Sequence, residues 1–279
     1  MFKEETSFAT ILVLMDGSPA SQAASTVAIQ LAQKEPLTVR GLYIIDEGLI
    51  LDGFANFHGE LAHTGDPESR EELVSWFQEQ GDAALRWLEI KCHIEDVPVE
   101  TDVMFGGVPE ITLHQEEKAA LLALGRRGLR QAEDPSKLGH NFRKITHQGH
   151  IPLLVGGHEH HPIQNILLAR EINEQAQTAL RWTARLQHSL SASLTILTPF
   201  ECGKDPVQLK RLLARGGIDN YHLLYSEGVT ADDISAAAVS CQADLIVMEG
   251  YEHGALMTKF FGSTLEEVLK QISLPVLVA

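Results

Sequence analysis

Cysteine is scarce in this chain: Cys92, Cys202 and Cys241 are scattered and odd in number, so a disulfide framework is not expected. The fold must therefore rest on an apolar core, and a reducing compartment, the cytoplasm, is the expected location. Positive charge is also short, with 22 Lys and Arg against 38 Asp and Glu and a net charge of −16. Such a surface repels phosphate backbones and anionic headgroups, which argues against sequence-independent binding to nucleic acid or membrane. No apolar run approaches the roughly 20 residues that span a bilayer. The opening Met1-Phe2-Lys3-Glu4-Glu5 has no signal-peptide core, so none is expected. Aromatic residues make up only 6% of the chain, and Trp76, Trp87 and Trp182 fall at helical spacing with other apolar residues, which reads as core. No paired carboxylates and no Ser/His/Asp arrangement supports a catalytic role, so a non-catalytic protein is expected.

What the chain does have is a stretch that occurs twice. Residues 119–124 form a short apolar run, long enough for a buried strand and too short for a helix. Gly125 and Gly128 break it, and a basic loop leads to Gly139. A helical pattern carrying Phe142, Ile145 and Thr146 then runs to Gly149, read as its C-cap, and a second buried strand spans 151–155. Glycines at a strand's carboxyl end let backbone N–H groups approach a ligand, and the next helix presents its positive N-terminus, a combination that suits phosphate. The second occurrence runs over residues 244–278, through Gly262-Ser263-Thr264 to Leu274-Pro275-Val276-Leu277-Val278. Gly139 to Pro152 and Gly262 to Pro275 both span thirteen positions. The strand ending at Asp16 overlies the one ending at Glu171, so the chain reads as two divergent copies of one domain.

From the start, Ile11–Met15 is a strand, and Asp16-Gly17-Ser18-Pro19 ends it with Ser18 as N-cap and Pro19 at the first helical position. A helix to about Gln33, a strand from Leu37 to Ile45, a long helix from Pro67 to about Ile90 and a strand over 97–104 follow. Residues 47–66, with Phe54 and Phe57, lack a period and read as an insertion; the first half exceeds the second by 32 positions. The second half repeats strand, helix, strand, helix, strand, helix before its closing stretch. Alternation of this kind implies parallel sheets covered on both faces, with ligands at the strands' carboxyl ends. The stretch 156–162, with His158, His160 and His161, reads as a solvated linker rather than a zinc or nickel site. Cys92-His93 on a helix end reads as packing.

The strand ending in Asp-Gly-Ser, the Gly-x-Pro before the third helix, the Gly-x-x-Gly with its spaced Gly, and the final Pro-Val-x-Val strand resemble universal stress proteins. Two copies make the chain similar to the tandem members. The resemblance implies an α/β fold of two Rossmann-like (adenine nucleotide alpha hydrolase-like) domains, each a five-stranded parallel sheet covered by helices. The copies would be residues 1–157, with the insertion at about 47–66, and a degenerate 162–279. It further implies a non-catalytic stress-response role, pairing of the two domains through their last strands, and, in the members that use one, a bound ATP. Homodimers are also compatible with it. Carried over to this chain, the site is Asp16, the backbone near Ile45, Leu124, Gly125, Arg126, Arg127, Gly128, Gly139, His140 and Asn141, with no metal beyond Mg accompanying the nucleotide. The spacer before Gly139 is ten residues where the family pattern has nine, and His140 stands where a hydroxyl residue is expected. In the second half Glu249 and Glu252 take the first two glycine positions and Glu171 the Asp position, which argues against a nucleotide there. Three readings stay open at this point: a regulator binding ATP or another small anion in its first half, an interaction module with both pockets empty, and, ranked last, an enzyme of nucleotide phosphate chemistry.

Overall fold

The computed structural model describes residues 10–50, 70–126, 138–157, 162–169, 177–200, 206–249 and 264–279. The first half runs β1 (Thr10–Met15), α1 (Pro19–Lys34), β2 (Thr38–Asp46), α2 (Arg70–Ile94), β3 (Val99–Gly106), α3 (Val108–Glu116), β4 (Leu121–Leu124), α4 (His140–Gln148) and β5 (Leu153–Val155). The second half runs β6 (Asn165–Ala169), α5 (Gln177–Leu190), β7 (Ser193–Pro199), α6 (Pro206–Arg215), β8 (His222–Ser226), α7 (Ala231–Ser240), β9 (Leu245–Met248), α8 (Thr264–Gln271) and β10 (Val276–Val278). Most of the insertion at 47–66, with Phe54 and Phe57, lies outside the described residues; 47–50 are helical.

Local chemistry sets several of these boundaries. Ser18 caps α1 by accepting the Ser21 N–H at 3.1 Å, with Pro19 at the first position. Thr230 and Asp233 form a reciprocal capping box at the start of α7. Gly149 does end α4, but with φ −67° and ψ 152°, so it caps in an extended rather than a left-handed conformation.

All ten strands join one sheet in the order β3-β2-β1-β4-β5-β10-β9-β6-β7-β8. Within each half every neighbouring pair is parallel. The halves meet where β5 lies antiparallel to β10, with Val155 opposite Val276, Leu154 opposite Leu277 and Leu153 opposite Val278. Side chains alternate across the sheet as strand geometry requires. Ile11, Val13, Leu154 and Leu277 point into one core with α1, α2, α5 and α6. Leu12, Leu153, Val155, Val276 and Val278 point into the other with α4, α7 and α8.

Polar ties flank this seam. On one face the Glu35 carboxylate accepts from Arg185 at 2.9 Å and from the Ser189 hydroxyl; the Arg185 bond comes first among the causes that hold it below the ordinary carboxylate range. On the other face Arg143 meets Glu266 at 2.5 Å, and Lys270 joins the same carboxylate at 3.1 Å.

Two aromatic residues take the places expected of them and one does not. Trp87 and Trp182 are partly buried against the core, with Lys91 and Arg185 over their rings at 5.7 and 5.2 Å. Trp76 is 50% exposed, its neighbour Phe77 taking the inward position on α2. Cys92 is fully buried, and burial, with the charge of Glu89 second, pushes its thiol up to about 11. Iodoacetamide at pH 8 should leave Cys92 unmodified in the folded protein and label it in urea; labelling of the native chain at a free-thiol rate would contradict this.

Glu116 closes α3 and is 2% exposed. One carboxylate oxygen accepts the His150 N–H at 2.8 Å on the way into β5, while the other is buried without a partner. Burial raises its pKa above the ordinary 4.5, opposed by the His150 bond. A carboxyl whose folded pKa is raised binds its proton more tightly in the native state. Stability is then lost as pH rises from about the unfolded value through the folded one, and the penalty is complete above it. Glu116→Gln keeps an acceptor for His150 and carries no charge. It should raise the melting temperature at pH 7 and show no advantage below pH 4.5; a variant less stable than wild type at pH 7 would show that the ionised carboxylate is favoured here.

Candidate functional site

In the first half β1 is flanked by β2 and β4, so the order of connection reverses between β1 and β4. Ligands of open parallel sheets sit outside the carboxyl ends at that point. Four pieces of chain meet there: the turn after β1, the end of β2, the segment after β4 and the N-terminus of α4.

Asp16 follows β1 and accepts the Ser18 N–H at 2.9 Å, so its carboxylate is held by the turn that starts α1. Its charge also acts on Tyr43 of β2, whose phenol is pushed up to about 12, by burial first and by Asp16 second. Ile45 is buried, so at the end of β2 only its backbone can serve a ligand. The next residue, Asp46, accepts the Gly48 N–H at 2.9 Å with one oxygen and faces the Asn141 amide at 3.4 Å with the other. Asp46 is the functional candidate that sequence reading missed. Its only signal was a carboxylate at the end of the second strand, the place where Rossmann folds meet ribose hydroxyls.

Leu124 is buried at the end of β4. Gly125 follows, and a Cβ there would lie 2.8 Å from the Ser21 nitrogen and 3.0 Å from the Ala20 carbonyl carbon. Absence of a side chain is thus demanded by the backbone of α1. Gly125→Glu would damage packing as well as any ligand site and is a poor probe of binding.

Gly139 is the N-cap of α4, and its N–H donates to the Arg126 carbonyl at 3.2 Å. The start of α4 is thereby held against the residue that follows Gly125. Asn141 is partly buried in the first turn of α4. Arg127, Gly128 and the side chain of His140 lie outside the described residues.

Arg126, one of the two adjacent arginines placed in the expected site, has its side chain turned elsewhere. It is 2% exposed, and its guanidinium donates to the carbonyls of Gly156 at 2.8 Å and Leu269 at 2.9 Å, and to those of Ile272 and Leu274. Three of these four acceptors lie in the second half. Arg143 of α4 is likewise turned to Glu266. The interval read as a linker also starts later than expected, because Gly156 and Gly157 are buried. Their missing side chains make room for the backbone of α1 and for residues 273–275 respectively.

The arrangement has a polarity. Carboxylates of Asp16 and Asp46 mark one part, suited to amine and hydroxyl donors, and the free N–H groups of a helix start mark the other, suited to an anion. In the second half the position of Gly125 is held by Glu249, partly buried at the end of β9. Among the described residues no group of three or more His, Cys, Asp or Glu is placed to hold a metal ion, and no helix is long and apolar enough to cross a membrane.

The sequence profile of the universal stress protein family matches residues 7–155 and 201–279. The chain belongs to that family. The match omits 156–200, yet β6, α5 and β7 from that interval stand in the second half where β1, α1 and β2 stand in the first. No curated protein sequence matches the chain. Among solved structures it is similar to a universal stress protein from Archaeoglobus fulgidus DSM 4304, with 21% identity, 97% of this chain and 95% of that one covered, and a TM-score of 0.69. A Pseudomonas aeruginosa UCBPP-PA14 structure described under the same family name gives 16% identity, coverage of 97% and 92%, and a TM-score of 0.65. At such identity the likeness is one of fold, and it extends over both halves of a universal stress protein architecture.

Proposed function

We propose that this member of the universal stress protein family is a non-catalytic stress-response regulator whose first domain, residues 1–157, binds ATP or another small anion, while the second, 162–279, does not. Pairing of the two domains within one chain through β5 and β10 belongs to the same reading. The observation that supports it most is the contact between Asn141 in the first turn of α4 and Asp46 at the end of β2, 3.4 Å apart. It brings a helix N-terminus and a nucleoside-type carboxylate to the same end of the same sheet. A helix dipole contributes only about 0.3–1 kcal/mol toward an exposed anion, so loop N–H groups and cations must supply the rest. With Arg126 and Arg143 turned to the second half, Arg127, Arg130, Lys137, His140 and Lys144 are the remaining basic residues of 126–144 for that part.

Isothermal titration calorimetry with ATP tests this. Wild type should bind one nucleotide per chain without hydrolysing it. Asn141→Asp should weaken binding by about tenfold or more, because it sets a second carboxylate beside Asp46 and the phosphates. Repulsion from Asp46 and loss of the amide bond offset the gain a carboxylate has at a helix N-terminus, so the melting temperature is measured alongside to separate a folding loss from a binding loss. If wild type gives no heat, and denatured purified protein releases no nucleotide, the chain is an interaction module with both pockets empty. The diversion of Arg126 and Arg143 favours that second reading.

A further inference from the structure

We infer that Arg126 is a positioning residue for the N-terminus of α4, which it anchors in the second half, so that the degenerate domain acts as a buttress for the ligand-binding one. This rests on the nucleotide reading for its ligand and on geometry for its anchor.

Arg126 acts in two directions at once. Its side chain reaches the carbonyls of Leu269 and Ile272 at the C-terminal end of α8, that of Leu274 before β10, and that of Gly156. The last carbonyls of a helix have no partner within it and sit at the negative end of its dipole. A buried guanidinium, with five donors in a planar fork, can satisfy several of them together, which an ammonium on a flexible stem cannot do as well. Its main-chain carbonyl meanwhile accepts the N–H of Gly139, the N-cap of α4. One residue thus ties the C-terminus of α8 in the second half to the N-terminus of α4 in the first. Those are contacts across 143 to 148 positions of sequence.

The tie is also one-sided. In a two-fold interface between identical domains each contact occurs twice. Here the repeat places Gly250 at the position of Arg126, and glycine has no side chain to return the contact. The second half therefore steadies the start of α4 in the first without being steadied in the same way.

A residue that only welds the two halves would, on substitution, loosen α8 and β10 and leave ligand affinity alone. A positioning residue moves both. The test compares the full chain, Arg126→Lys and, as a control, Arg185→Ala, which opens the Glu35 pair between the halves on the other face of the sheet. ATP titration should show about a tenfold weaker affinity in Arg126→Lys, the scale of one lost charge-assisted hydrogen bond. The control should stay within about twofold. Amide exchange should quicken in Arg126→Lys at residues 139–142 and at 269–276 together. ATP bound equally by wild type and Arg126→Lys would overturn the inference. If wild type binds no ATP, the nucleotide reading fails on its own, and exchange decides: quickening at both segments upholds the anchor, and quickening at 269–276 alone overturns it. If Arg126→Lys does not fold, native-state exchange of wild type decides instead. The amides of Gly139 and Ile272 should then open with the same urea dependence, and independent opening would sink the anchor.

Discussion

Leu277→Asp should leave no folded chain. Leu277 is 1% exposed in the last strand, opposite Leu154 of β5, and both point into the core that α1, α2, α5 and α6 cover. Truncating such a leucine costs about 2–5 kcal/mol. An aspartate adds a charge with no partner in a dry layer, costing several kcal/mol more unless it takes up a proton. Whole domains are stable by only about 5–15 kcal/mol. The site is also the seam itself, so the loss cannot be confined to one half: an unpaired β5 would expose an apolar edge open to aggregation. Circular dichroism and size exclusion should find unfolded or aggregated protein. A soluble Leu277→Asp variant in which the first half still melts cooperatively at the wild-type temperature would show that the halves do not depend on one another.

Gly157→Ala should destabilise the chain by about 2 kcal/mol, although a single methyl group is added. Gly157 does not need a positive φ, so alanine is conformationally allowed and by entropy alone would stabilise by about 0.4–1 kcal/mol. The steric cost outweighs this. The new Cβ would lie 2.3 Å from the Ser273 oxygen, 2.9 Å from the Pro275 nitrogen and 3.0 Å from the Leu274 carbonyl carbon, all main-chain atoms. Backbone held between α8 and β10 cannot give way as a flexible side chain would, and forced overlap in a packed interior costs about 1–3 kcal/mol or more. Urea denaturation should move the midpoint down with little change in slope. A midpoint at or above wild type would mean that the seam can shift to admit the methyl group.

Much of the architecture was legible in residue order because its causes are local. Ser18 and Pro19 start α1, short aliphatic runs make β4 and β5, and the thirteen-residue spacing from Gly139 to Pro152 and from Gly262 to Pro275 marks the repeat. Apolarity of 151–155 and 274–278 on both faces required cover for what would otherwise be sheet edges. Trp76 was misread because periodicity alone cannot separate it from Phe77. Adjacent residues on a helix lie about 100° apart, and only packing against the sheet decided which one turned inward. Asp46 was passed over because its significance comes from Asn141, which stands 95 positions away.

By itself, then, the sequence determined the two halves, the alternation of strand and helix, and the family. Each depends on patterns within about thirty residues, the reach of hydrophobic periodicity and turn chemistry. Tertiary structure alone decided what the residues around the candidate site are used for. A cation beside a glycine turn looks the same in sequence whether it meets a phosphate or the end of another helix. The direction of Arg126 was settled by carbonyls at the end of α8 and in the segment leading to β10, nearly 150 positions on, brought within reach by the pairing of β5 with β10. Once buried there, a guanidinium must find acceptors or bear the cost of lost hydration, and the unpaired carbonyls at the end of α8 are those acceptors.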